Sequence, residues 1–171
     1  MIRLESFKQS DFSVFISWID SKELLVTIAG YDLILPLTEE QLQAYLDNPK
    51  SYSFTIMDDT NNKPIGHAEI LLTPEETGKI DKLLIGDTSL RGKGLGKEVI
   101  QLLLEYAFEK LQLQTVELNV FDWNTGALKL YEKCGFILNP EKRQVFEFEN
   151  NTWIAVNMRL NRAQWIKSLV K

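Results

Sequence analysis

Residues 91–97, Arg91-Gly92-Lys93-Gly94-Leu95-Gly96-Lys97, lie between an apolar run that reads as a strand and a long amphipathic segment that reads as a helix. No other stretch narrows the fold so far. Three glycines in five positions cost stability in any regular element, so they belong where the backbone must turn sharply or come close to a ligand. They leave amide N–H groups free to point outward, and three cations surround them. The helix behind adds the positive end of its macrodipole. Strand, glycine-rich basic turn and helix together form a cradle for phosphate. The chain as a whole carries a formal charge of −5, so this basic cluster is a local device. That net charge argues against a nucleic-acid partner and mildly favours cationic substrates such as amines.

The pattern around the cradle predicts an α+β fold. Ile2–Phe7 alternates as a strand, and Ser10 or Asp11 caps a helix running to about Asp20. Lys22–Ala29 reads as a short helix, and Thr38-Glu39-Glu40-Gln41 as a capping box that opens another, stopped by Pro49. Ser51–Asp58 and Lys63–Leu72 form a hairpin, and Lys79–Gly86 is a further strand. The helix of the cradle spans Gly92–Leu111. Thr115–Phe121 is a strand and Asn124–Cys134 a helix closed by Gly135. Phe136–Leu138, Arg143–Glu149 and Thr152–Leu160 are three more strands, the last two turned at Asn150-Asn151. The result is a mixed, mostly antiparallel sheet of about seven strands with flanking helices, parallel where Lys79–Gly86 crosses over to Thr115–Phe121.

A length of 171 residues without repeats or a linker predicts one domain over 1–171. No apolar run approaches the ~20 residues of a membrane span, and Met1–Glu5 lacks the apolar stretch of a signal peptide. A cytoplasmic protein with no membrane partner is expected. One cysteine and one histidine exclude an internal disulfide and a zinc site, and no metal is expected.

Spacing separates the phosphate ligands. A P-loop needs four residues between its glycines and a Ser or Thr after the lysine. Here five residues separate Gly86 from Gly92, and Gly94 follows Lys93. A dinucleotide fingerprint needs G-x-G-x-x-G after a first strand, whereas this loop reads G-x-G-x-G after several. Arg91-x-x-Gly94-x-Gly96 instead resembles the pyrophosphate loop of the GNAT N-acetyltransferase superfamily, written Q/R-x-x-G-x-G/A. Downstream, Asn124-Thr-Gly-Ala127-Leu-Lys-Leu-Tyr131-Glu-Lys-Cys-Gly135-Phe136 is similar to that family's N-x-x-A-x-x-x-Y-x-x-x-G-F segment. The resemblance is sharpest over 79–138. The acidic hairpin Phe146–Met158 with Trp153 looks like the branch that holds the ribosomal-protein and polyamine acetyltransferases.

The resemblance implies a GNAT-like sheet that splays between Lys79–Gly86 and Thr115–Phe121, with acetyl-CoA entering the gap. The amides of Gly92, Lys93, Gly94, Leu95 and Gly96 would hold the pyrophosphate, with Arg91 adding charge. The strand edge at Leu84, Ile85 and Gly86 would pair with the pantetheine arm, an amide near Ile85 facing the thioester oxygen. Asn124 would cap its helix and contact the cofactor. Tyr131 would protonate the departing thiolate; by periodicity alone it is a packing aromatic. Bases for the amine are sought among Glu69, Asp81, Glu117 and Asn119, with His67 as a relay. Period two puts Asp81 on one sheet face with Leu83 and Ile85, and Glu117 with Asn119. The resemblance places acceptor contacts at Trp18, Tyr31, Asp32, Asn119 and the Glu147–Trp153 region. It implies direct acetyl transfer to a primary amine: a protein N-terminus, a polyamine or another small amine. A noncatalytic acyl-CoA-binding module is the alternative, which the Tyr131 motif disfavours. A longer acyl donor and a homodimer are left open.

Overall fold

The computed structural model describes residues 1–170. Seven strands form one sheet: β1 (Ile2–Ser6), β2 (Ser51–Asp58), β3 (Lys63–Thr73), β4 (Thr77–Ile85), β5 (Thr115–Phe121), β6 (Ile137–Phe148) and β7 (Asn151–Asn161). Their order across the sheet is β1-β2-β3-β4-β5-β7-β6. Every neighbouring pair is antiparallel except β4 and β5, which run parallel. Among the described residues six α-helices flank the sheet: α1 (Phe12–Trp18), α2 (Lys22–Ala29), α3 (Glu39–Leu46), α4 (Leu95–Glu105), α5 (Thr125–Lys133) and α6 (Arg162–Ser168). This is the mixed, mostly antiparallel α+β sheet that the pattern predicts. Among the described residues no helix is long and apolar enough to cross a membrane.

Two cores hold the sheet from opposite faces. Helix α4 buries Val99, Ile100, Leu103 and Leu104, a helical stripe that packs on Ile70, Ile80, Val116 and Leu118. Each such side chain contributes about 1.5–3 kcal/mol relative to exposure. On the other face α1, α2 and α3 supply Phe12, Phe15, Leu25 and Leu42, which pack with Phe7 and Tyr45.

Four differences from the sequence reading have physical causes. The helix predicted from Gly92 begins at Leu95, because Gly94 stands at φ 83° as its N-cap. It ends as an α-helix at Glu105, and Tyr106–Lys110 form a π turn closed by the Leu111 amide on the Tyr106 carbonyl at 3.0 Å. The strands read separately at 136–138 and 143–149 are one strand, β6, broken only by a bulge between Asn139 and Arg143. Helix α6 is an addition. Asn161 caps it by accepting from the Gln164 amide at 2.9 Å, and buried Trp165 packs on Phe108 at 5.1 Å.

Strands β4 and β5 pair only from Thr77 to Ile80 and from Thr115 to Leu118. Beyond that point they part. The change coincides with a bulge: His67 faces Leu84 and Glu69 faces Asp81, so Ala68 alone stands opposite both Lys82 and Leu83. Lys82 takes up the extra residue at φ 49°. The bulge overturns the prediction that Asp81 shares a face with Leu83 and Ile85. Those two pack into the core under α4, while Asp81 turns to the α2 side beside Lys82.

Candidate active site

The split opens at the carboxyl end of β4, where one edge of the strand has no partner strand. The Gly86 amide donates to the Ile65 carbonyl of β3 at 2.8 Å. Alternation along a strand then turns the N–H and carbonyl of Ile85 toward the gap, and Arg91 Nε donates to that carbonyl at 3.0 Å. Past Arg91 the chain enters the glycine turn. Gly92 and Gly94 lie at φ 76° and 83°, where an L side chain is strained by about 1–2 kcal/mol. A Cβ at either would meet nothing within 4 Å, so this backbone is open to an incoming group. The amides of Gly92, Lys93 and Gly94 make no backbone hydrogen bond among the described residues, and the first amides of α4 follow them. The geometry fits the phosphate cradle expected there. Gly96 has another job: its Cβ would come within 2.8 Å of Leu130 Cδ2, so it lets α4 lie close against α5.

Helix α5 stands beside the same gap on the α4 face. Asn124 caps it by accepting from the Ala127 amide at 3.3 Å. The other end is a Schellman turn: the Phe136 amide donates to the Tyr131 carbonyl at 3.0 Å and the Gly135 amide to Glu132 at 3.0 Å, with Gly135 at φ 98°. This closure fixes Tyr131, which packs against the main core and meets Phe136 edge-on. Burial, with Cys134 nearby, pushes the Tyr131 phenol up to about 12. Its hydroxyl has no hydrogen-bond partner among the described residues and stays protonated across ordinary pH, as a proton donor requires.

On the opposite face lies a cleft of about 290 Å³. The end of α2 and the loop to Asp32 form one wall; Lys79 and Asp81 of β4, Asn119 and Phe121 of β5, and Gln144 and Phe146 of β6 form the rest. Tyr31 packs at a tilt on Phe146, ring centres 5.4 Å apart, and its hydroxyl donates to the Glu147 carbonyl, so the α2 loop is tied to the last hairpin. Asn119 Oδ1 accepts from Asn157 Nδ2 at 2.8 Å.

Behind the cleft is a buried polar cluster. Lys82, 4% exposed, places Nζ at 3.1 Å from Glu69, 3.2 Å from Asp32 and 3.6 Å from Asp81, and 4.9 Å above the Tyr45 ring. Burial pulls the Lys82 ammonium down, but the carboxylates of Asp81, Glu69 and Asp32 outweigh it and the net shift is upward. Glu69, 1% exposed, also accepts from Ser51 Oγ; burial raises its carboxyl against the pull of Lys82 and Ser51. Tyr45 Oη lies 2.9 Å from His67 Nε2, and His67 Nδ1 has no hydrogen-bond partner among the described residues. Burial first and Lys82 second lower His67 to about 3, so it is neutral.

The sequence-predicted residues therefore separate into groups. Ile85, Arg91 and Gly92 to Gly96 meet at the end of β4. Leu84 is buried opposite His67, and the amides of both Gly86 and Ile85 are assigned to different edges. Asp81, Tyr31, Asp32 and Asn119 line the cleft. Trp18 does not: its ring lies on Gly86, where a Cβ would come within 2.1 Å of it. Glu69 and His67 sit behind the cleft, closed off from it, and Glu117 is paired with Lys142 at 3.0 Å in a neighbouring recess that Asn119 also lines. Sequence reasoning passed over Lys82. Its signal was there, a lysine in the inward row Ile80, Lys82, Leu84, since a lysine in that row must find a counter-charge.

Comparison with known proteins bears on the family and the fold. The family model described as "Acetyltransferase (GNAT) family" matches residues 17–136. The N-acetyltransferase 9-like protein of Nematostella vectensis is 25% identical over 167 residues, covering 89% of this chain and 84% of the relative. "Probable N-acetyltransferase YjcK" of Bacillus subtilis (strain 168) is 29% identical over 99 residues; that alignment covers 56% of this chain and 54% of that protein. Among solved structures, spermidine N-acetyltransferase from Vibrio cholerae in complex with CoA and spermine superposes with a TM-score of 0.80 at 19% identity, over 96% of this chain and 98% of that one. Aminoglycoside acetyltransferase AAC(6')-Ib in complex with coenzyme A gives 0.76 at 21% identity, over 99% of both chains. At these identities the two structures speak for the fold.

Proposed function

Because the chain belongs to the acetyltransferase (GNAT) family, we propose that it transfers an acetyl group from acetyl-CoA to an amine seated in the cleft between α2, β5 and β6. Residues 1–171 act as one acetyltransferase domain in this reading. The observation that carries it is the split: β4 and β5 pair only as far as Ile80 and Leu118. The glycine turn and Tyr131 stand on one side of that opening, and a cleft with carboxylates on the other. Donor and acceptor can then meet through the sheet.

Each residue has a task. The amides from Gly92 to Gly96 hold the pyrophosphate, with the positive end of α4 behind them. The Ile85 N–H faces the thioester oxygen, where one fixed donor is worth about 3 kcal/mol as negative charge develops. Attack needs a neutral amine, and Asp81, the candidate base that lines the cleft, takes the ammonium proton directly or through water. Tyr131 gives its proton to the leaving thiolate. The relatives named above as spermidine and aminoglycoside acetyltransferases support an amine acceptor.

Thiol release from acetyl-CoA, measured against a panel of amines with mass analysis of the product, tests this. Release that depends on an acceptor, with one acetyl group added to its nitrogen, is expected. Acetyl-CoA binding without transfer to any amine would convert the protein into an acyl-CoA sensor.

A further inference from the structure

The charges around the cleft narrow the acceptor. Three carboxylates, Asp32, Glu69 and Asp81, converge on two ammonium groups: Lys82 touches all three, and Lys79 Nζ lies 3.4 Å from Asp81. Three negative charges against two positive leave a single negative charge. One further ammonium balances the cluster, and a second leaves it with an excess of positive charge. The groove continues past Lys79, Asn119 and Gln144 into a second recess. There Lys142 holds Glu117 at 3.0 Å, and Glu141 shares the wall with Arg143, so the extension adds no net charge. The remaining wall of the main cleft is apolar, formed by Val120, Phe121, Phe146 and Ala155. An ammonium forced against such a wall without a partner is strongly disfavoured.

Resting on the acetyltransferase reading, we infer that the acceptor is a monocationic amine on a neutral, apolar body, and that polycations are poor acceptors. The one positive charge sits at Asp81 and Asp32, and the apolar body lies on the Phe121 and Phe146 side. Lys79 thus takes the place beside Asp81 that an extra ammonium group of a polyamine would need, and Lys82 supplies a second balancing charge from behind the cleft.

The test uses the full chain with saturating acetyl-CoA and compares kcat/KM by thiol release. The monocationic probes are a peptide with a free N-terminus and uncharged apolar side chains, and 2-phenylethylamine; the polycation is spermidine. The better monocationic probe is expected to exceed spermidine by about tenfold or more. Lys79→Ala removes one of the two ammonium groups at Asp81 while leaving the buried Lys82–Glu69 pair intact, and it should shift that ratio toward spermidine by about fivefold. Spermidine equal to or better than both probes, or a ratio unmoved in Lys79→Ala, overturns the inference and leaves the acetyltransferase reading standing. Transfer to none of the three, with acetyl-CoA bound, overturns the acetyltransferase reading itself.

Discussion

On the α4 side of the split the phosphate cradle is made of backbone, whereas on the α2 side the cleft is made of side chains. The glycine turn offers amides, and its two positive-φ glycines have open space where a Cβ would go. It needs only local geometry to work. The cleft side relies on Asp32, Glu69 and Lys82, which come from three segments and meet only in the fold, where Lys82 is 4% and Glu69 1% exposed. A backbone site fails by strain and fails gently. A buried ionic site fails by leaving a charge without a partner, and fails hard.

That contrast sets an order of effects. Lys82→Met should cost about 3–5 kcal/mol of stability, read from a urea midpoint, because Glu69 keeps its burial and loses its cation. The loss should shrink as pH falls and the raised Glu69 carboxyl takes up a proton. A loss below about 1 kcal/mol at neutral pH would erase the distinction between the two sides, since exposed ion pairs cost as little. Tyr131→Phe should lower kcat by about a hundredfold or more while leaving the acetyl-CoA Kd unchanged. With its phenol held at about 12, the native enzyme should show no descending limb in kcat from this group near pH 10, where an ordinary tyrosine ionises.

His67 supplies a third, smaller effect on the cleft side. Its pKa is near 3 in the folded chain and about 6.5 unfolded, so the unfolded state binds the extra proton first and stability falls as pH drops below about 6.5. By about pH 5 the loss from this group is on the order of 2 kcal/mol, and His67→Gln should flatten the profile between about pH 4 and 6.5. Gly94→Ala should weaken acetyl-CoA binding about five- to thirtyfold, from the 1–2 kcal/mol of left-handed strain that the bound turn would carry, with the melting midpoint nearly constant. Gly96→Ala should do less, since its new methyl meets only the flexible tip of Leu130. Equal effects of the two glycine substitutions on Kd would remove the special role of the turn.

Much of the donor side was readable in the chain because its parts are contiguous. Arg91 to Lys97 carry the turn in order, and Asn124 to Phe136 carry their helix with both of its ends, the Asn cap and the Gly135 closure. The acceptor side was harder for two reasons. Glu69 and Lys82 meet through the bulged pairing of β3 with β4, and Asp32 joins them through the packing of α2 against the sheet, which no local pattern encodes. The bulge at Lys82 then shifts the alternation of β4 by one, so counting in twos from Leu83 puts Asp81 on the wrong face. Trp18 was misplaced for a similar reason: the end of α1 meets the end of β4 at Gly86 and not the cleft. Helix α6 follows a long strand with only Asn161 to announce it.

The bond from Arg91 to the Ile85 carbonyl has a consequence for how the protein behaves in a crowded solution. A sheet that opens in its middle creates raw strand edges inside its own outline, and such edges recruit stray strands from other molecules. Proteins commonly guard their outermost strands with charged side chains. Here Arg91 guards an inner one, covering the carbonyl at the mouth of the opening with a cation that no β-strand can match. A charged side chain laid over an open carbonyl is the kind of cover that strand edges carry against pairing with other chains.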